Sequence, residues 1–237
     1  MCPFIEEIQT AHTLESLVEQ LRSAECEARN VILLRSNSFD FSQARYSFVT
    51  ANPFLIFQSF GSRCEIFNSQ LSTFNSQPTF GNPWHLLDAL MSRYELLDEM
   101  DLPFPLGGAF GFWGYDLKNF TEPKLSRHAE NDLELPDCRV GFYDSLVVFD
   151  HQLGKVFIIS TGLNADGSRG EKRANEQFEF WKLILEKELP PRHRATEEDF
   201  QKILSLCLCA SVAKAPSNFS RDEFIAKVWE WKAESGG

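Results

Sequence analysis

Residues 140–161 read VGFYDSLVVFDHQLGKVFIIST. Two apolar, β-branched runs flank a polar break at Gln152–Lys155, with Leu153-Gly154 at the tip of a tight turn. A connection this short cannot carry a crossover, so the two strands must pair antiparallel. The same grammar recurs upstream. ARYSFVTA (44–51) alternates Tyr46, Phe48 and Thr50 against Arg45, Ser47 and Val49, which predicts a half-buried strand. FLIFQSFG followed by SRCEIFN predicts a hairpin that turns near Gly61 and Ser62, and NVILLRS (30–36) predicts a further strand.

Helices flank these strands. Thr13 is an N-cap for TLESLVEQLRSA, where Leu14, Leu17, Val18 and Leu21 make one apolar stripe. Asn82-Pro83 supplies N-cap and first turn for PWHLLDALMSRYELL. From Glu171 to Leu189, Phe178, Trp181, Leu185 and Leu189 recur at helical spacing, and Pro190-Pro191 ends the pattern. A short helix is expected at 196–206 and a linker at KAPSN (214–218). Ser220 and Glu223 form a capping box that opens a last helix, whose Phe224, Ile225, Val228, Trp229 and Trp231 need a partner surface. The expectation is an α+β fold of largely antiparallel, sandwich-like sheets with flanking helices. The domain reading is 1–214 for the main body and 215–237 for a linker and the first helix of a second domain.

Composition narrows the function classes. The 237 residues are 43% apolar, enough for a sizeable core, and carry a net charge of −11 without a basic face, which argues against nucleic acid. The six cysteines, Cys2, Cys26, Cys64, Cys138, Cys207 and Cys209, lack zinc-site spacing and read as free thiols in a reducing compartment. No apolar run reaches membrane-span length, and MCPFIEEIQT lacks a signal-peptide pattern, so a soluble cytoplasmic protein without membrane partners is expected.

PLGGAFGFWGYDL (105–117) invites a nucleotide reading and refuses it. Gly107, Gly108, Gly111 and Gly114 do not follow G-x-G-x-x-G, no Gly-Lys-Ser/Thr follows, and large aromatics fill the gaps. It reads as a central strand whose glycines admit close neighbours.

In company, these segments resemble a known family. GGAFGFWGYD, then LPD (135–137), GFYD (141–144) and DH (150–151), preceded by LLRS (33–36) and ARYSFVTANP (44–53), are similar to the N-terminal domain of component I of aminodeoxychorismate synthase and anthranilate synthase, which use chorismate. The last helix resembles the start of that family's chorismate-binding domain. The resemblance covers essentially this whole chain and about half of a family member. It implies a catalytic domain after residue 237 that binds chorismate with Mg2+ and takes ammonia from a glutamine amidotransferase partner. No catalytic residue and no metal ligand is therefore assigned in this chain. It also implies an L-tryptophan pocket, with Ser36 at the ligand's amino group and Gln43, Ala44, Arg45 and Tyr46 along the wall. Arg35 stands where anthranilate synthases often have glutamate, which speaks against feedback regulation. With the compact front end, this favours aminodeoxychorismate synthase, on the route to p-aminobenzoate and folate; anthranilate synthase component I and a non-catalytic tryptophan-binding fragment are the alternatives. His151 is read as a turn histidine, and Asp116 and Asp144 as strand-end residues that bond turn backbone.

Overall fold

The computed structural model describes residues 3–23, 26, 28–35, 45–69, 78–96, 102–124 and 135–187. The expected elements beyond 187, and the boundary at 214, lie outside the described residues.

Among the described residues, ten strands form two five-stranded antiparallel sheets. The first holds β1 (Phe4–Ile8), β2 (Ile32–Leu34), β3 (Tyr46–Thr50), β9 (Ser145–Asp150) and β10 (Lys155–Ser160), in the order β1-β10-β9-β3-β2. The second holds β4 (Leu55–Phe60), β5 (Arg63–Asn68), β6 (Thr79–Phe80), β7 (Gly108–Trp113) and β8 (Cys138–Tyr143), in the order β6-β5-β4-β8-β7. Helices α1 (Leu14–Arg22) and α4 (Glu171–Glu186) cover the first sheet, α2 (Pro83–Arg93) covers the second, and α3 (Lys118–Thr121) is a single turn. The α+β expectation is met.

Each helix forms for the reason its sequence offers. Thr13 Oγ1 accepts from Ser16 N at 3.2 Å while Ser16 Oγ accepts from Thr13 N at 2.8 Å, a reciprocal cap contributing about 0.5–2 kcal/mol. The stripe Leu14, Leu17 and Leu21 then packs with Phe178, Trp181, Ile184 and Leu185 of α4 onto Val49, Val147, Phe149 and Ile158. Trp181 is fully buried, worth about 2–3 kcal/mol in apolar transfer alone. On the other face of the first sheet, Leu146, Val148 and Ile159 meet Phe104, Leu106 and Phe110. The α2 face of the second sheet is filled by Leu55, Phe57, Val140 and Phe142 under Leu87 and Leu90.

Four elements differ from the sequence expectation. The run 140–161 contributes three strands rather than two: the chain leaves the second sheet at Tyr143 and enters the first at Ser145. Asp144 makes that step, buried and clamped by Arg173, whose Nε and Nη2 donate at 2.9 and 3.0 Å. β3 is covered more than its alternation indicates, because Ser47, Val49 and Thr50 are all buried. Phe4–Ile8 forms a strand that the N-terminal composition hid. Finally, among the described strands β7 stands at the edge of its sheet and not at its centre. Its glycines do admit close neighbours, as expected: a Cβ at Gly107 would lie 2.6 Å from Tyr143 O, one at Gly114 2.7 Å from Asp137 O, and one at Gly111 against Arg139 O.

Candidate functional site

Of the five residues read as a ligand pocket, Ser36, Gln43 and Ala44 lie outside the described residues. Arg45 and Tyr46 stand at the start of β3, opposite the end of β9, where Tyr46 is registered with Asp150. The motif ARYS thereby meets the motif DH. Arg45 grips Asp150 with both arms, Nη2–Oδ2 at 2.8 Å and Nε to the two oxygens at 3.1 and 3.2 Å. Asp150 Oδ1 also accepts from Gln152 N at 3.0 Å and Leu153 N at 3.1 Å, so the same carboxylate holds the β9–β10 turn. Burial works to raise the Asp150 carboxyl, but the Arg45 and turn-amide hydrogen bonds outweigh it and hold it below the ordinary range. The same hydrogen bond pushes Arg45 up.

His151 completes the junction. Its backbone N–H donates to Arg45 O at 2.8 Å, and its Nε2 lies 2.7 Å from Ser47 Oγ. A serine beside an imidazole is the outline of a nucleophile and base. Here Ser47 is fully buried, so no substrate atom reaches its hydroxyl. The pair is a structural tie that sequence spacing alone did not reveal, because it joins residues 104 positions apart.

Tyr46 is different. Its ring meets Phe104 edge-on at 5.6 Å and Phe48 at 6.4 Å, and the Arg45 guanidinium sits 4.8 Å from its centroid. Among the described residues its Oη is buried without a hydrogen-bond partner, and burial raises its pKa. An unpaired hydroxyl among rings is a place where a ligand's polar atom would be accepted.

The remaining motifs build scaffold. Asp137 of LPD accepts from Gly61 N at 2.6 Å, capping the β4–β5 turn, while its own N–H donates to Ser59 O at 2.7 Å. Tyr143 of GFYD donates to Asn30 O at 2.8 Å, and burial pushes its phenol up. Asp144 O accepts from Thr161 N and Oγ1 at 2.8 and 3.0 Å. Burial raises the Asp144 carboxyl by more than Arg173 lowers it. A signal for this junction was present: Tyr-Asp interrupts an otherwise apolar run.

A cavity of about 380 Å³ lies elsewhere, between the end of α2 and the start of β7, walled by Phe54, Tyr94, Phe142 and Leu163. It does not touch Arg45 or Tyr46. Its buried hydroxyls are already committed, Tyr94 Oη to Ala165 O at 2.6 Å and Thr161 Oγ1 to Asp144 O. Among the described residues, no three His, Cys, Asp or Glu side chains cluster as a metal site would require, and no helix is long and apolar enough to cross a membrane. Cys26, Cys64 and Cys138 are free thiols.

Comparison with known proteins adds relatives. Anthranilate synthase component 1 of Acetivibrio thermocellus is 28% identical over 217 residues, covering 92% of this chain and 41% of that protein. Aminodeoxychorismate synthase component 1 of Escherichia coli is 34% identical over 131 residues, covering 54% of this chain and 28% of that protein. The crystal structure of anthranilate synthase component I from Streptococcus pneumoniae superposes with a TM-score of 0.45 and 24% identity, over 73% of this chain and 39% of that one. No family model matches the chain. The chain spans less than half the length of these relatives.

Proposed function

We infer that this member of the anthranilate synthase and aminodeoxychorismate synthase component 1 family serves as the N-terminal portion of an aminodeoxychorismate synthase. In this reading the complete enzyme aminates chorismate with ammonia from a glutamine amidotransferase partner and yields 4-amino-4-deoxychorismate. The supporting observation is the 34% identity to the Escherichia coli relative. Anthranilate synthase component 1 is the second reading, supported by a longer match of 217 residues. In this reading chorismate and Mg2+ are held by the family's remaining portion. In the same reading Arg45, tied to Asp150 and His151, holds Tyr46 in the wall of an L-tryptophan pocket.

Two experiments test this. The protein extended by the family's remaining portion is given chorismate, ammonia and Mg2+, and the product is identified by chromatography; anthranilate would overturn the preferred reading. The 237-residue chain alone should show no turnover, and turnover would refute an active site outside it. Calorimetry with L-tryptophan on this chain should show a Kd weaker than about 100 µM. Tyr46→Phe should abolish that binding and leave stability unchanged; unchanged binding would remove Tyr46 from the pocket.

A further inference from the structure

Tyr143 of the second sheet directs its hydroxyl to the chain that enters the first. Its ring lies back along β8 over Gly141, where an added Cβ would stand 2.7 Å from Cε2 and 2.9 Å from Oη. Phe110 of β7 meets the ring at 5.8 Å. So held, the ring carries Oη to Asn30 O, to which it donates at 2.8 Å. A side chain at 141 would push the ring off that path. Burial pushes the phenol up, so it remains a donor at neutral pH. Asn30 lies two residues before β2 and stands at φ +49°, a region asparagine tolerates. Its neighbour is held from β3: Arg29 N donates to Asn52 Oδ1, and Asn52 N donates to Arg29 O, both at 2.8 Å. β2 itself pairs with β3 over three residues, from Ile32↔Thr50 to Leu34↔Phe48. So short a ladder is easily opened, which gives these two ties at its entry a large share in placing the strand.

We propose that Tyr143 is a positioning residue for the tryptophan pocket: through Asn30 it sets how β2 enters its sheet, and so how the chain delivers Ser36, two residues past the end of β2. The inference rests on the tryptophan reading given under the proposed function, with Ser36 at the ligand's amino group. Tyr143 touches no ligand in it and acts through β2. Gly141 belongs to the same arrangement, because it gives the ring its place. The consequence is selective. Loosening the entry to β2 harms recognition of the amino group. It spares the wall at Arg45 and Tyr46, which Asp150 and the β3–β9 pairing hold independently.

Two probes separate these effects: L-tryptophan, and indole-3-propionate, which keeps the indole and the carboxylate and lacks the amino group. NMR shift titration of the 237-residue chain reads both, into the millimolar range. The unaltered protein should prefer L-tryptophan. Tyr143→Phe keeps the ring on Gly141 and loses the donor. It should weaken L-tryptophan about 5–10-fold and leave indole-3-propionate within about 2-fold, whereas general destabilisation would weaken both alike. Amide exchange at 32–34 should speed by about the same 5–10-fold in the variant, while β9 and β10 hold. Asn52→Gly keeps the positive φ and removes the acceptor of Arg29 N, so it should shift both readouts the same way, which covers a Tyr143 variant that misfolds. Equal losses for the two probes, no loss, no preference for L-tryptophan in the unaltered protein, or unchanged exchange at 32–34 would each overturn the proposal. An unaltered chain that binds neither probe overturns the tryptophan reading and the pocket's part of the proposal with it; faster exchange at 32–34 in the variant would then still show Tyr143 holding β2.

Discussion

Arg173→Met removes the counter-ion of a carboxylate that is 1% exposed, at the residue where the chain passes between sheets. Breaking a buried pair by deleting one partner costs about 3–5 kcal/mol, since the remaining charge keeps its desolvation penalty. The Arg173 side chain retains 18% exposure, so water offsets part of the loss and about 2–3 kcal/mol is expected. The sign with pH follows from the raised Asp144 carboxyl. The folded state holds that proton more tightly than the unfolded chain, whose reference value is 3.8. Asp144's contribution is therefore complete below that value and is lost as pH rises through the folded pKa. Removing Arg173 lifts the folded value further, so the variant's deficit should be larger near pH 8 than near pH 5, by about 1.4 kcal/mol for each unit of added shift. Urea unfolding of the wild type, Arg173→Met, Asp144→Asn and the double variant at both pH values completes the cycle. The double variant should recover to within about 1 kcal/mol of the wild type. A deficit below about 0.5 kcal/mol, or one that is equal at the two pH values, would refute the argument.

Asp150→Ala strips Arg45 and two turn amides of one acceptor and should cost about 1.5–3 kcal/mol in denaturant unfolding. Because its carboxyl is held low, this contribution should be present above the unfolded value of 3.8 and fade as pH falls through the folded one, so the variant's unfolding curve should converge with the wild type's in acid. Gly111→Ala drives a methyl into Arg139 O and within 2.8 Å of Val140 Cα, whereas Gly61→Ala meets nothing within 4 Å and suffers only from φ +57°. Thermal melts should show a loss above about 2 kcal/mol for the first and about 1 kcal/mol for the second. Burial pushes the Cys138 thiol up to about 12. Alkylation followed by mass spectrometry should mark Cys138 only after unfolding, and rapid native labelling would contradict its burial.

Local pattern carried most of the fold. The α1 and α2 caps, the β4–β5 hairpin with its turn at Gly61, and the β9–β10 turn were each legible because one short segment holds the whole signal. What escaped were features decided at a distance. Whether a strand is central or marginal depends on partners far along the chain, so β7 read as central from its glycines alone. Asp144 looked like a turn residue because nothing near it announces Arg173, 29 positions on. At the candidate site, the sequence indicated Arg45 and Tyr46 only through resemblance. The grip of Asp150 on Arg45 spans 105 positions, and no periodicity encodes it.

The pairing of β1 has a consequence for how the protein is made. Phe4 is registered with Ser160 and Ile8 with Val156, so β1 leaves the ribosome long before the strand it pairs with. At ~5–20 residues per second that delay is about 10–30 s. Through that interval FIEEI has no sheet to join, and its two glutamates, Glu6 and Glu7, keep the nascent segment soluble until β10 arrives.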